Sequence, residues 1–181
     1  MFEDNRSKKL VLVSHCLLNQ NSISDGTADY PGIFSEVMNK LAEYHVGIIQ
    51  MPCPELMCLG LDRGDVDGGN RSVLEENSRI RKQLLTESSQ KKIRTLVDNV
   101  FFQISEYLKN GFIVQGMIGV NRSPSCGVNS TSANNQEIEG RGVFIQSLMD
   151  KFAQEGIHIP VIGVKTFMPE AALKEVDSLL S

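Results

Sequence analysis

Short apolar runs rich in β-branched residues alternate along this chain with stretches of helical periodicity, and that alternation most narrows what it can fold into. The runs are KLVLVS (residues 9–14), VGIIQM (46–51), GFIVQGMIGV (111–120) and IHIPVIGV (157–164). Their near-continuous apolar character is that of strands buried on both faces. Between them, residues 33–44 place Ile33, Val37, Leu41 and Tyr44 on one helical face. Residues 88–109 do the same with Ile93, Val97, Val100, Ile104 and Leu108, and Asn110-Gly111 supplies a C-cap signal. A further helix is expected from Gly142 to Gln154, stopped by Gly156, and a last one over PEAALKEVDSLL, opened by Pro169. Strand and helix taking turns predict an α/β fold. The expectation is a single Rossmann-like, three-layer domain over residues 1–181, with a mostly parallel sheet of about four strands and helices on both faces. The polar region 62–92, DRGDVDGGNRS and then a charged helical stretch, reads as a flexible insertion whose Gly and Asp content suits a surface loop.

At 181 residues the chain is long enough for one domain with a real core. A net charge of −4 leaves no electrostatic footprint for a nucleic-acid polymer or an anionic membrane, so both are disfavoured as partners. The opening MFEDNRSKKLVLVSHC puts acidic residues ahead of a lysine pair and a short apolar run, which is neither a signal peptide nor a membrane span. The expectation is therefore a cytoplasmic protein, a monomer or weak homo-oligomer. In that setting the four cysteines, Cys16, Cys53, Cys58 and Cys126, argue against a disulfide framework and for free thiols, metal ligands or catalysis.

Three of those cysteines fall just after the first, second and third apolar runs. In open α/β sheets, ligands bind outside the carboxyl ends of the strands, so Cys16, Cys53 and Cys126 are expected at one edge. A cysteine taken singly is most simply a small buried hydrophobe; three at strand ends, with Cys53 between Pro52 and Pro54 and Cys126 in Ser-Pro-Ser-Cys-Gly, point to a site. Thiolates are soft ligands suited to zinc and iron–sulfur clusters. No C-x-x-C occurs, and Cys53 and Cys58 lack a matching second pair, so the spacing is not that of a zinc ribbon or ferredoxin. What remains is a three-thiolate site built from remote loops. Three protein ligands on a four-iron cluster leave one iron open, the mark of a catalytic site.

The blocks Val13-Ser14-His15-Cys16-Leu17-Leu18 with Asp25-Gly26, Cys53-Pro54-Glu55 with Gly60-Leu61-Asp62-Arg63, and Ser123-Pro124-Ser125-Cys126-Gly127 carry a resemblance. In their order and over most of the chain they resemble the TudS-like thiouracil desulfurase (desulfidase) family. The resemblance implies an α/β domain whose Cys16, Cys53 and Cys126 hold a 4Fe-4S cluster with one open iron. It also implies an enzyme that removes sulfur from a small thiolated molecule such as 2-thiouracil, releasing the oxo base and sulfide. The chain departs from the family's pattern at Asn19, at Ser22-Ile23-Ser24 before Asp25-Gly26, at Met57-Cys58-Leu59 and at His15, which marks a divergent, TudS-related member with its own pocket lining.

For proton transfer beside such a cluster the candidates are Ser123 and Glu55. Glu55 reads as a base in a partly buried, negatively charged setting, or as the partner of Arg63. Ser123 reads as a group that positions water, or as the cap of a turn before proline. Ser14, Asn19, Asp25, Asn121 and Asn129 flank the ligands as readers of a base edge or as turn formers, and Arg63 and Arg122 as counter-charges or solvated side chains. Cys58 reads as a packed thiol or a fourth ligand, with His15 as a competing one. The rival functions are an iron–sulfur sensor or binding module without turnover, and a zinc- or thiol-dependent enzyme.

Overall fold

The computed structural model describes residues 2–181. The chain opens with strand β1 (Lys9–Ser14), the one-turn helix α1 (His15–Leu18) and a 3-10 turn, then helix α2 (Ser35–Glu43), strand β2 (Gly47–Met51) and the short helix α3 (Pro54–Leu59). Helices α4 (Val73–Leu84) and α5 (Glu87–Lys109) follow, then strand β3 (Ile113–Val120) and a hairpin of β4 (Ser130–Ala133) and β5 (Gln136–Glu139). Helix α6 (Val143–Gln154), strand β6 (Val161–Val164) and helix α7 (Pro169–Leu180) complete it. The main sheet runs β2-β1-β3-β6 with every pairing parallel. This is the α/β architecture expected from the alternation, with helices on both faces.

Side-chain alternation along β1 divides the interior. Leu10 and Leu12 join Ile80 and Leu84 of α4, Ile93, Val97, Val100 and Ile104 of α5, and Phe144, Leu148 and Phe152 of α6 in one core. Val11 and Val13 face the other way, into a core with Phe34, Val37 and Leu41 around α2 and Ala172, Val176 and Leu180 of α7. Along β3 the register shifts by one residue between Val114 and Gly116 opposite Leu10 and Val11. Gln115 is thus a bulge, and Val114 and Met117, three apart in sequence, share one core.

The helices over 88–109, 142–154 and 169–180 lie where periodicity puts them, within a residue. Two expectations need correction. Region 62–92 is a mostly exposed loop as far as Arg71, and the charged helical stretch after it is packed on the core rather than inserted at the surface. Ser72 and Glu75 form a capping box that starts α4, Ile80 and Leu84 are fully buried, and Glu76 is held by Arg71 and Arg79. Paired in this way, charges that read as surface become part of the packed structure. The run 157–164 is a strand only from Val161, and α2 starts at Ser35, so that Ile33 lies outside it, 43% exposed, while Phe34 is fully buried.

Candidate functional site

Starting from β1, the chain builds β2 on one side of it and later places β3 on the other, so the order of strands reverses between β1 and β3. That reversal opens a crevice at the strands' carboxyl ends. Cys16 follows β1 within α1, Cys53 follows β2 as the N-cap of α3, and Cys126 lies in the loop after β3. All three line one cleft, which encloses about 680 Å³ including its open mouth, together with Glu55, Arg63, Ser123 and Ser125. The structure thus brings together Cys16, Cys53, Cys126, Ser123 and Glu55, and leaves Cys58 outside.

Local sequence explains how each thiol is held. Pro54 at the first position of α3 starts that helix directly after Cys53, whose Sγ accepts the Leu56 N–H at 3.5 Å. The Cys126 loop is tied at both ends. Val120 N–H donates to the Cys126 carbonyl at 2.9 Å, and Gly127 N–H to the Ser123 carbonyl at 3.2 Å. Helix α6, whose N-cap Gly142 has no side chain to offer, spends its first N–H groups on this loop. Val143 donates to the Pro124 carbonyl at 2.9 Å and Phe144 to that of Ser125 at 3.0 Å. A β-carbon on Gly142 would lie 2.4 Å from the Ser125 carbonyl oxygen, and one on Gly127 2.2 Å from that of Ser130. Only glycine lets the backbones approach this closely.

Glu55 is the polar centre of the cleft, 7% exposed. Its Oε1 accepts from Ser125 Oγ at 2.6 Å and faces Ser123 Oγ at 3.4 Å; its Oε2 accepts from Ser24 Oγ and Arg63 Nε, both at 3.2 Å. Arg63, 2% exposed, also donates to the carbonyls of Ser22, Gly60 and Leu61, and its guanidinium lies 3.9 Å from Cys53 Sγ. Glu55 is thus a buried carboxylate beside the thiols and the partner of Arg63. Ser123 likewise caps its turn, accepting from Cys126 N–H at 3.0 Å and Ser125 N–H at 3.3 Å, while its hydroxyl sits within reach of Glu55.

The three thiols share one electrostatic setting. Burial pushes the Cys53 thiol up to about 11, with the nearby Glu55 carboxylate adding to it. Burial likewise pushes Cys126 up to about 12, helped by repulsion from Cys53. Cys16 is raised well above its usual value by burial first, then by Cys126, Cys53 and Glu55. Protons keep this cluster of donors neutral, and a metal centre would take their place. Among the described residues no three His, Cys, Asp or Glu side chains gather closely enough to hold a single metal ion. A four-iron cluster is held differently, each thiolate on its own iron. Only three buried side-chain polar atoms among the described residues lack a hydrogen-bond partner, and two belong to Ser14 and His15, the residues immediately before Cys16. Thiols from three strand ends, with orphaned polar groups next to one of them, are a donor set that fits such a group.

Several neighbours went unread in the sequence. Ser24 and Ser125 give no signal apart from Glu55, because serine in a loop is a default turn residue. Arg63 reads as a counter-charge, yet nothing in DRGD announces that it is buried. Asn121, a candidate reader of a base, lines the cleft and braces its loops. Its Oδ1 accepts from Asn129 N–H at 3.0 Å and its Nδ2 donates to the Gly163 carbonyl at 2.8 Å. Asn19 caps the 3-10 turn that follows it. Cys58 does not line the cleft; it packs against the α5 side of the core with its Sγ 3.8 Å from the Ser89 carbonyl. His15 does line the cleft, with Nδ1 2.6 Å from Gln50 Nε2, and burial lowers its pKa. Arg122, Lys165 and Phe167 form the rim, both cations lying over the Phe167 ring.

A family model described as 2-thiouracil desulfurase matches residues 11–158, a span that contains all of the cleft's thiols and Glu55. An uncharacterized protein of Methanocaldococcus jannaschii is 29% identical over 150 residues, which cover 83% of this chain and 79% of that protein. No solved structure matches the chain. No helix among the described residues is long and apolar enough to cross a membrane.

Proposed function

The chain belongs to the 2-thiouracil desulfurase family, and from that membership we propose that it is an iron–sulfur-dependent desulfidase of a small thiolated molecule, a thiouracil-like base. The observation that carries this reading is the convergence of three buried thiols from separate strand ends on one cleft that also holds Glu55. Cys16, Cys53 and Cys126 would hold a 4Fe-4S cluster, leaving one iron without a protein ligand. When bound, that cluster supplies a Lewis-acidic iron for the substrate's thiocarbonyl sulfur. Overall, a water oxygen replaces the sulfur on the ring carbon, the carbon–sulfur bond breaks, sulfur leaves as hydrogen sulfide, and no electrons are exchanged with an outside partner.

The protein's part is to place water and carry protons. Arg63 and Ser24 fix Oε2 of Glu55, which leaves Oε1 turned toward Ser123 and Ser125. Glu55 takes the proton of the attacking water at Oε1 and returns it to the departing sulfur. Ser123, whose acceptor capacity is taken up by two backbone N–H groups, acts through its single O–H in orienting that water or the base.

The test is anaerobic reconstitution followed by assay. Iron and sulfide are expected to bind in the wild type and in Cys58→Ser, and to be lost from Cys16→Ser, Cys53→Ser and Cys126→Ser. Added 2-thiouracil should yield uracil and sulfide in equal amounts. Glu55→Gln should keep its iron and lose about 100-fold or more in kcat, the range expected when a general acid–base group is removed. A colourless protein that binds zinc in place of iron would overturn the cluster. An iron-loaded protein that releases no sulfide from any thiolated pyrimidine would leave the sensor as the better reading.

A further inference from the structure

Ser14 closes β1 and stands at the N-cap of α1, the position where a serine side chain ordinarily accepts a helix N–H. It does not do so here. The residue is fully buried, and its Oγ is without a hydrogen-bond partner. A buried, unpaired hydroxyl carries a desolvation penalty of about 1–3 kcal/mol, so its retention at this place calls for a partner. Alternation along β1 puts Ser14 on the side of Leu10 and Leu12, the core to which Cys126 belongs. The hydroxyl is near enough to Cys126 to oppose the upward push of burial on that thiol.

We propose that Ser14 is a positioning residue whose hydroxyl donates a hydrogen bond to the Cys126 sulfur when that sulfur ligates the cluster, and thereby helps to set the cluster's reduction potential. This rests on the cluster reading given above. The other hydroxyl beside that sulfur, Ser125 Oγ at 3.5 Å, has its one proton engaged by Glu55 at 2.6 Å. Ser14 is thus the donor left over for the sulfur. A thiolate is a better acceptor than a thiol, so replacing the Cys126 proton by iron creates the partner that the hydroxyl lacks. Hydrogen bonds to cluster sulfurs stabilise the more negative, reduced state and raise the potential.

The experiment compares anaerobically reconstituted wild type, Ser14→Ala and Ser14→Thr. Midpoint potentials come from redox titration, and exchangeable-proton couplings from double-resonance spectra of the reduced proteins in light and heavy water. We expect the wild type to show an exchangeable proton coupled to the cluster. Ser14→Ala should hold the same iron, lose that coupling and shift to a more negative midpoint, and Ser14→Thr should restore both. A wild type with a full cluster and no coupled exchangeable proton would overturn the role of Ser14 alone, as would an alanine variant with an unchanged midpoint. A wild type that takes up no iron would overturn the cluster reading, and this role with it.

Discussion

At the scale of single residues, the buried pair of Glu55 and Arg63 decides most about the cleft. A guanidinium and a carboxylate taken from water lose several kcal/mol of hydration each, regained only when every donor and acceptor is met. Here the carboxylate has three serine donors besides the ion pair, Ser125, Ser123 and Ser24, and the guanidinium three carbonyls. Arg63→Met would leave Glu55 buried without its cation and is expected to cost about 3–5 kcal/mol, read as a lower urea midpoint of the cluster-free protein. Arg63→Lys should recover only part of this, because an ammonium lacks the planar fork that reaches Glu55 and the carbonyls together. The sequence shows the thiols of this site more plainly than its polar frame. Cys16, Cys53 and Cys126 stand where apolar runs stop, which is a pattern; Arg63, Ser24 and Ser125 are ordinary loop residues until the fold brings Glu55 among them.

At the scale of elements, the Cys126 loop depends on α6 as much as on its own residues. The first turn of α6 meets carbonyls of Pro124 and Ser125 in place of a side-chain cap, which is possible only because Gly142 lets the two backbones touch. Gly142 has φ −67°, a value that alanine adopts freely, so Gly142→Ala isolates the effect of contact from that of conformation. The variant is expected to fold with a lower thermal midpoint and to bind less iron on reconstitution, while Gly156→Ala, beyond the far end of α6 with open space around it, should bind iron like the wild type despite strain at φ +70°. Iron uptake by Gly142→Ala equal to that of the wild type would show that the loop tolerates displacement. Periodicity made α5, α6 and α7 legible, since each has an apolar stripe long enough to count. It showed α4 as a charged helical stretch but not its burial, since only Ile80 and Leu84 are fully buried aliphatics there, and it hid the β4–β5 hairpin, whose strands are four residues each and largely polar.

At the scale of the whole molecule, the sheet carries two cores on opposite faces, and the thiols collect where its strand order reverses. That arrangement could be read from the sequence, because it follows from strand-helix alternation and from chain direction, both of which are local patterns. Gathering acids in one dry place has a consequence for the stability of the cluster-free fold. Cys53 and Cys126 are raised in the folded protein to about 11 and about 12, from an ordinary value of 9.0. Below about pH 9 folded and unfolded chains both hold these protons, so the contribution to stability is complete. Between about pH 9 and about pH 12 the unfolded chain releases them and the folded chain does not, and stability falls as pH rises. The urea midpoint of the reduced, cluster-free protein, measured anaerobically, should therefore drop between about pH 8 and about pH 10.5. The drop should be smaller in a Cys53→Ala, Cys126→Ala double variant, in which tyrosines and lysines still titrate but these thiols are gone. Equal drops would mean that the thiols are solvated. Cluster-loaded protein should also show the smaller drop, since its thiols have already given up their protons to iron, and the same burial that penalises bare thiolates would then favour the loaded state over the empty one as the pH rises.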